Sequence, residues 1–197
     1  MNHKDVEILQ HKTLYQGHFR LEQYHLRFRL FAGGWSLPVT RELFARGSSV
    51  AVLPYDPFLD SVVLIEQFRI GAITGKKSPW LQEIVAGVVE TGEQAEEVAR
   101  REAREEAGLI LLDLQPICKY WVSPGATSEQ VSLFYATVDS THVSGIHGLI
   151  EEGEDIKVKV LPAQEAFAAV KAGTINNAPS IIALQWLQLN HSYLCKF

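Results

Sequence analysis

Tyr24, Leu26, Phe28 and Leu30 alternate with His25, Arg27 and Arg29, the period-two pattern of a strand with one buried face. Gly33 and Gly34 turn the chain into a second strand expected over Trp35–Phe44, where Pro38 marks an edge or irregular position. Arg46 and Gly47 close this stretch. Two or three strands within residues 1–45 bury little on their own. They are expected to lie against the main domain or against a second copy of the chain.

Two apolar, β-branched runs follow, Ser49–Pro54 and Val62–Phe68, joined by the turn-rich Tyr55, Asp56 and Pro57. A loop through Gly75–Pro79 leads to Trp80–Val89, which reads as further strand. The clearest helix comes next. Thr91 and Gln94 have the spacing of a capping box, which starts the helix near Thr91, and Gly108 sits where a glycine stops it. Ala95, Ala99, Ala103 and Ala107 form a stripe of small side chains, with Val98 beside it, suited to close packing on a sheet. Strands are expected at Ile117–Val122, Val131–Val138 and Ile156–Leu161, and closing helices at Ala163–Ala172 and Pro179–Leu194. The fold class is α/β or α+β, with one main domain at 46–197 behind the N-terminal unit 1–45.

Composition narrows the function. The 197 residues carry 18 Lys+Arg against 23 Asp+Glu, a net charge of −5, and no basic stripe, which argues against nucleic acid as a partner. No apolar run approaches the roughly 20 residues that span a bilayer. The start, MNHKDVEILQHK, has no apolar stretch resembling a signal peptide. A soluble cytoplasmic protein with no membrane partner is expected. Cys118 and Cys195 are too few and too separated to suggest a disulfide framework or a zinc site.

The helix itself carries chemistry. Glu96–Arg100 and Glu97–Arg101 are favourable pairs one turn apart, as on any solvated helix face. Its last turn is different. Glu102, Glu105 and Glu106 share one face and sit at the negative end of the helix dipole, where each carboxylate is disfavoured by roughly 0.3–1 kcal/mol. Stability alone does not select this placement. A bound hard cation such as Mg²⁺ or Mn²⁺ reverses the sign of each term.

Gly87, five residues, Glu93, seven residues and then Arg101–Leu109 together resemble the signature of the Nudix family. Ala103 stands where that family usually has a larger aliphatic residue, a departure that concerns packing rather than chemistry. The resemblance implies an α/β/α sandwich, with the small N-terminal antiparallel β unit used for dimerisation. It also implies hydrolysis of a nucleoside diphosphate linked to another moiety. Outside the signature, Ser123-Pro124-Gly125-Ala126-Thr127-Ser128-Glu129 places a proline fifteen residues beyond Leu109, which resembles the bacterial ADP-ribose pyrophosphatase subfamily. The likeness extends to LIEQFR, VAG, GIHGL and IIALQWLQL. Hydrolysis of ADP-ribose to AMP and ribose 5-phosphate is the implied reaction. Another nucleoside diphosphate sugar, or a non-catalytic nucleotide sensor, is the alternative.

The same resemblance assigns roles. Glu102 and Glu106 are implied metal ligands, with the Ala86 carbonyl as a third and Mg²⁺ (or Mn²⁺) as the cofactor. Glu105 is a water-mediated ligand or an orienting group, and Glu93, Arg101, Gly87 and Gly108 are structural. In the acidic stretch Glu151–Asp155, Glu152 is the implied general base and Glu154 a further metal ligand, although the two roles remain exchangeable between these neighbours. Arg69, Val88, Ser123, Pro124, Gly125 and Glu129 are implied substrate contacts. Phe19, Arg41, Glu42 and Arg46 lie on strands that, in a homodimer with shared active sites, are donated to the partner copy. An ordinary surface or packing role stays open for each of these contacts.

Overall fold

A chain that alternates long apolar runs with a single alanine-striped helix has two sheet faces to cover, and the computed structural model shows how it does so. It describes residues 1–195 and divides the chain into two compact units. The first comprises Met1–Ser48 with Trp121–Gln130, and the second comprises Ser49–Tyr120 with the chain from Val131 onward.

In the first unit, β1 (Val6–Gln16), β2 (Arg20–Phe28) and β3 (Val39–Ala45) form an antiparallel sheet in the order β1-β2-β3. Nothing in the hydrophobic pattern of Val6–Gln16 marks β1, because its register with β2 shifts between Ile8 and Gln10 and again between Thr13 and Tyr15. The strand expected over Trp35–Phe44 is confined to Val39–Ala45. Gly33 and Gly34 both adopt positive φ, and Trp35 makes only an isolated bridge to Arg29. Its ring lies under the guanidinium groups of Arg27 and Arg29, 5.0 and 4.3 Å from the ring centre. Glu22 is the one buried side chain among the described residues of this unit. The Tyr24 hydroxyl donates to it at 2.7 Å and Arg20 lies at 2.7 Å, and they hold its carboxyl below the usual range against the opposing effect of burial. This unit therefore has no apolar core of its own, and Ile8, Leu14 and Tyr15 of β1 stay exposed.

The second unit is built on an eight-stranded sheet. Its main path runs β10 (Ile146–His147), β11 (Ile156–Pro162), β5 (Ser61–Phe68), β4 (Ser49–Asp56), β9 (Gln130–Thr137), β8 (Asp113–Trp121). β6 (Trp80–Glu83) joins β5, and β7 (Val85–Val88) joins β4. β4 runs parallel to β9 and antiparallel to β5. Alternation sorts its residues onto two faces. Val50, Val52, Val63 and Ile65 pack with Val98, Ala99, Ala103 and Ala107 of α1 (Ala95–Ala107). Ala51, Leu53, Tyr55, Val62 and Leu64 pack with α2 (Ala163–Lys171) and α3 (Ala178–Leu194). Both faces are covered, so the central strands are apolar without interruption. This is the α/β/α sandwich. Among the described residues no helix is long and apolar enough to cross a membrane.

Two local departures from the sequence pattern have clear causes. α1 begins at Ala95 rather than near Thr91, and its N-cap, Gln94, makes no side-chain capping bond. Gly92 at φ 97° makes the preceding residues a turn, in which Glu93 accepts the Glu90 N–H at 2.9 Å instead of serving a helix end. The single strand expected over Trp80–Val89 is two strands, because the chain changes partner at Ile84, from β5 to β4. There the Ile84 N–H leaves the ladder and is satisfied by the hydroxyl of Ser180, at 2.9 Å and wholly buried. Ser180→Ala removes that acceptor and strands a buried donor. It should lower stability by about 1–3 kcal/mol, measured as a shift in urea midpoint at constant slope.

Candidate active site

The site in the second unit begins with the position of α1. Its alanine face lies against the sheet, and Glu102 and Glu106 in its last turn meet Gly87 and Ala86 of β7. Gly87 on β7 leaves room there for the Glu102 carboxyl group, which a Cβ at that position would displace. Gly108 ends α1 in the left-handed region at φ 64°, donating to the Ala103 and Arg104 carbonyls, and the His147 ring packs against it.

Glu106 is 2% exposed, and its Oε2 accepts the Ala86 N–H at 3.0 Å. Burial pushes its carboxyl up to about 8, with Glu102 and Glu154 adding repulsion, while the Ala86 hydrogen bond and the Arg69 charge oppose the rise. Burial likewise raises Glu102 to about 7, opposed by Arg101 and reinforced by Glu105 and Glu154. Two deeply placed carboxyls, each raised by burial and by its neighbours, form a site short of positive charge. Arg101 is the nearest compensation, 3.0 Å from both Glu102 and Glu105 and 3.9 Å from Glu93. It thus ties the turn before α1 to the helix, while Glu105 is held by Arg101 rather than directed to Glu106.

Glu154 completes the group from another element. Its Oε2 accepts the Leu149 N–H at 3.0 Å, and the Gly148 N–H donates to the Glu105 carbonyl at 3.1 Å. These bonds fasten the loop after β10 to the end of α1. Gly148, at φ 99°, has no room for a side chain beside the Glu154 Cβ. Glu152 lies two residues away, exposed at the end of a short 3-10 turn (Ile150–Glu152), with Gly153 following at φ 73°. The carboxylate oxygens of Glu102, Glu106 and Glu154 are hard donors of the kind that hold Mg²⁺ or Mn²⁺, and their mutual repulsion is what such an ion relieves. The residues fit the ion.

Arg69, just beyond β5, donates to Glu83 at 2.8 Å and exerts its charge on Glu106. Glu83 is a partner that the sequence pattern did not mark, since in Trp80–Val89 it reads as one polar position of a strand. Gln67, two residues before Arg69, is buried, and its side-chain nitrogen has no hydrogen-bond partner among the described residues. Val88 is half exposed at the end of β7.

The first unit gathers a different set. The Arg46 guanidinium lies 5.4 Å over the Phe19 ring and 3.4 Å from Glu129, and Phe19 packs on Phe44 at 5.0 Å. Ser128 fixes Arg46 by accepting its N–H at 2.9 Å and donating to its carbonyl at 2.7 Å. Ser123, Pro124 and Gly125 form the turn that returns the chain, with the Ala126 and Thr127 N–H groups on the Ser123 carbonyl. Arg41 and Glu42 stand exposed on β3, with Arg41 bonded to the Thr40 carbonyl at 2.9 Å.

This sandwich, with a glutamate-rich helix end facing a glycine at the sheet edge, is the frame of one hydrolase family. Residues 45–184 match the NUDIX domain, and the chain belongs to the Nudix family. It is 53% identical over 190 residues to the ADP-ribose pyrophosphatase of Escherichia coli strain K12, covering 96% of this chain and 91% of that protein. The ADP-ribose pyrophosphatase of Haemophilus influenzae is 48% identical over 194 residues, 97% and 89% of the respective chains. A GDP-mannose pyrophosphatase of Shigella flexneri is 33% identical over 152 residues, 77% and 78%. A crystal structure described as an ADP compounds hydrolase superposes with a TM-score of 0.70 at 22% identity, over 94% of this chain and 96% of that one, and so shares the fold.

The raised carboxyls set a pH dependence. Folding favours the protonated form of Glu102 and Glu106, so their contribution to stability is complete below about 4.5 and is lost as pH rises through about 7 and 8. The metal-free protein should therefore lose thermal stability as pH is raised from about 5 to about 9. Mg²⁺ affinity should run the opposite way, since binding displaces those protons. Glu106→Gln should flatten the metal-free profile, match or exceed the parent's stability at high pH, and weaken metal binding at least about tenfold. Melting curves and calorimetric Mg²⁺ titrations across this range check all three.

Proposed function

We propose that this protein hydrolyses the pyrophosphate of ADP-ribose, with Mg²⁺, to AMP and ribose 5-phosphate. The observation that carries the reading is the pair of carboxyls, Glu102 half-buried and Glu106 buried, on the last turn of α1 beside Gly87 and Ala86, with Glu154 on a neighbouring loop adding its charge to both. The 53% identity to an ADP-ribose pyrophosphatase selects the substrate. When bound, Mg²⁺ (or Mn²⁺ in its place) supplies neutralisation of the pyrophosphate oxygens and a lowered pKa for a bound water.

The chain does the rest. Glu102, Glu106 and Glu154 hold the ion with the Ala86 carbonyl, and Glu105 acts through water or as an orienting group. Glu152 accepts the proton of the attacking water. The attack forms a bond to one phosphorus and breaks its bond to the bridging oxygen, which leaves with the other half of the substrate. Gly145, Gly148 and Gly153, all at positive φ, give the loop its hinge points. Arg69 meets a phosphate, and Phe19 offers an aromatic face to the adenine with Arg46 above it. Of the first unit, Glu129 accepts a ribose hydroxyl and Ser123, Pro124 and Gly125 are further substrate contacts; of the second, Val88 is another. Residues 1–45 serve as a dimerisation unit that supplies Arg41 or Glu42 to the partner's site. The exposed apolar residues of β1, in a unit with no apolar core, support that reading.

Product analysis tests the substrate. ADP-ribose with Mg²⁺ should give AMP and ribose 5-phosphate in equal amounts, faster than ADP-glucose or GDP-mannose is cleaved; faster turnover of either competitor would overturn the assignment. Glu152→Gln should lower kcat by about 10²–10⁴-fold with little change in KM, while Glu154→Gln should chiefly weaken metal binding. The reverse pattern would exchange their roles. Assembly is checked by co-refolding Glu106→Gln with a chain carrying Arg41→Ala and Glu42→Ala. Shared sites in a two-fold dimer restore about a quarter of all sites. Sites confined to one chain restore none.

A further inference from the structure

The α2/α3 face of the sheet carries a second cluster of metal-ligating side chains, on elements that the proposed hydrolysis does not use. The turn between β4 and β5 ends at Asp60, a non-glycine residue at φ 46°. Its Oδ1 accepts the hydroxyl of wholly buried Tyr55 at 2.8 Å and lies 2.6 Å from Nε2 of His191 in the last turn of α3. Cys195 caps that helix, its N–H on the His191 carbonyl at 3.0 Å, and its thiol, in no disulfide, donates to the Pro57 carbonyl at 4.0 Å. The Asp60, His191 and Cys195 ligand atoms all lie within 4.8 Å of one another, each side chain half-buried.

We propose that Asp60, His191 and Cys195 form a second metal site, for a borderline-soft divalent ion of the zinc type with water as fourth ligand. The donor set makes the case. One imidazole nitrogen, one thiolate and one carboxylate suit Zn²⁺ or Co²⁺, whereas the all-carboxylate group on α1 suits Mg²⁺. Tetrahedral bonds of about 2.0–2.3 Å place ligand atoms roughly 3.3–3.7 Å apart. Ligand atoms within 4.8 Å of one another therefore need to draw together by up to about 1.5 Å, while the 2.6 Å Asp60–His191 contact opens by about 0.7–1.1 Å. On binding, the thiol proton of Cys195 goes to solvent, and Nε2 of His191 gives its lone pair to the metal with the ring proton on Nδ1. The Asp60–His191 hydrogen bond is replaced by two bonds to one ion. The Tyr55 hydroxyl stays on Asp60 and orients the carboxylate as an outer-shell donor. The strained turn residue is thereby fixed to the end of the last helix. His191 and Cys195 are one helical turn apart, but Asp60 is 131 positions from His191, which is why two scattered cysteines gave no sign of the site.

The test uses the full chain with Cys118→Ser, which removes the other thiol, and with Mg²⁺ in excess to occupy the α1 carboxylates. Titration with Co²⁺ should saturate at one equivalent with a thiolate-to-cobalt charge-transfer band and d–d bands of tetrahedral intensity, both removed by Zn²⁺. Zn²⁺ alone should raise the melting temperature by about 5–10 °C at a hundredfold excess over its dissociation constant. Adding Cys195→Ser should abolish the charge-transfer band and the zinc-dependent shift, and so should His191→Gln. A protein that develops no thiolate band up to millimolar Co²⁺ would overturn the proposal. So would a band that persists undiminished in Cys195→Ser.

Discussion

The distance between α1 and the end of β7 governs this structure. Ala99, Ala103 and Ala107 let the helix lie close on the sheet, and Gly87 leaves the space that the Glu102 carboxyl group fills. A side chain at Gly87 would displace the Glu102 carboxyl group, and larger residues on the alanine stripe would lift α1 away from the β7 backbone. Glu106 would then lose its bond to the Ala86 N–H and regain water. The raised carboxyls of Glu102 and Glu106 follow from that close contact. On the proposed reading, the affinity of the site for a cation is thus a packing property before it is a charge property.

Such an arrangement works against folding. Three glutamates share the C-terminal turn of α1, where the helix dipole already disfavours negative charge. The chain compensates with one shared cation, Arg101, and with backbone N–H donors to Glu106 and Glu154. The compensation is incomplete, as the upward displacement of Glu102 and Glu106 records. A site that is fully satisfied in the empty protein would gain little from an ion. Local inconsistency of this kind is what separates a functional turn from an ordinary solvated one.

Much of this was readable in the chain. The apolar runs of β4 and β5 and the alanine stripe of α1 are periodic and long, and the spacing from Gly87 to Glu106 carries the chemistry in its residue types. Features set by long-range geometry were not readable. β1 escapes the alternation test because two register shifts move its side chains from face to face. The break at Ile84 depends on a hydroxyl 96 positions away on α3, and the start of α1 depends on a glycine turn that overrides a plausible capping pattern. Glu83 becomes significant only once pairing of β5 and β6 sets it beside Arg69.

The division of the chain has a consequence for how this protein can be varied. Trp121–Gln130, with the Ser123–Gly125 turn, Ser128 and Glu129, belongs with the N-terminal sheet although it lies between two strands of the sandwich. The polypeptide therefore passes between the units three times, after Ser48, Tyr120 and Gln130. The N-terminal unit is not a cassette that can be cut off or exchanged at one junction. Arg46 and Ser128 share reciprocal hydrogen bonds across those separate segments, so a chimaera that imports one segment without the other breaks a matched pair. A transplant of the N-terminal unit keeps its matched contacts only when both segments move together, one structural unit written in two places.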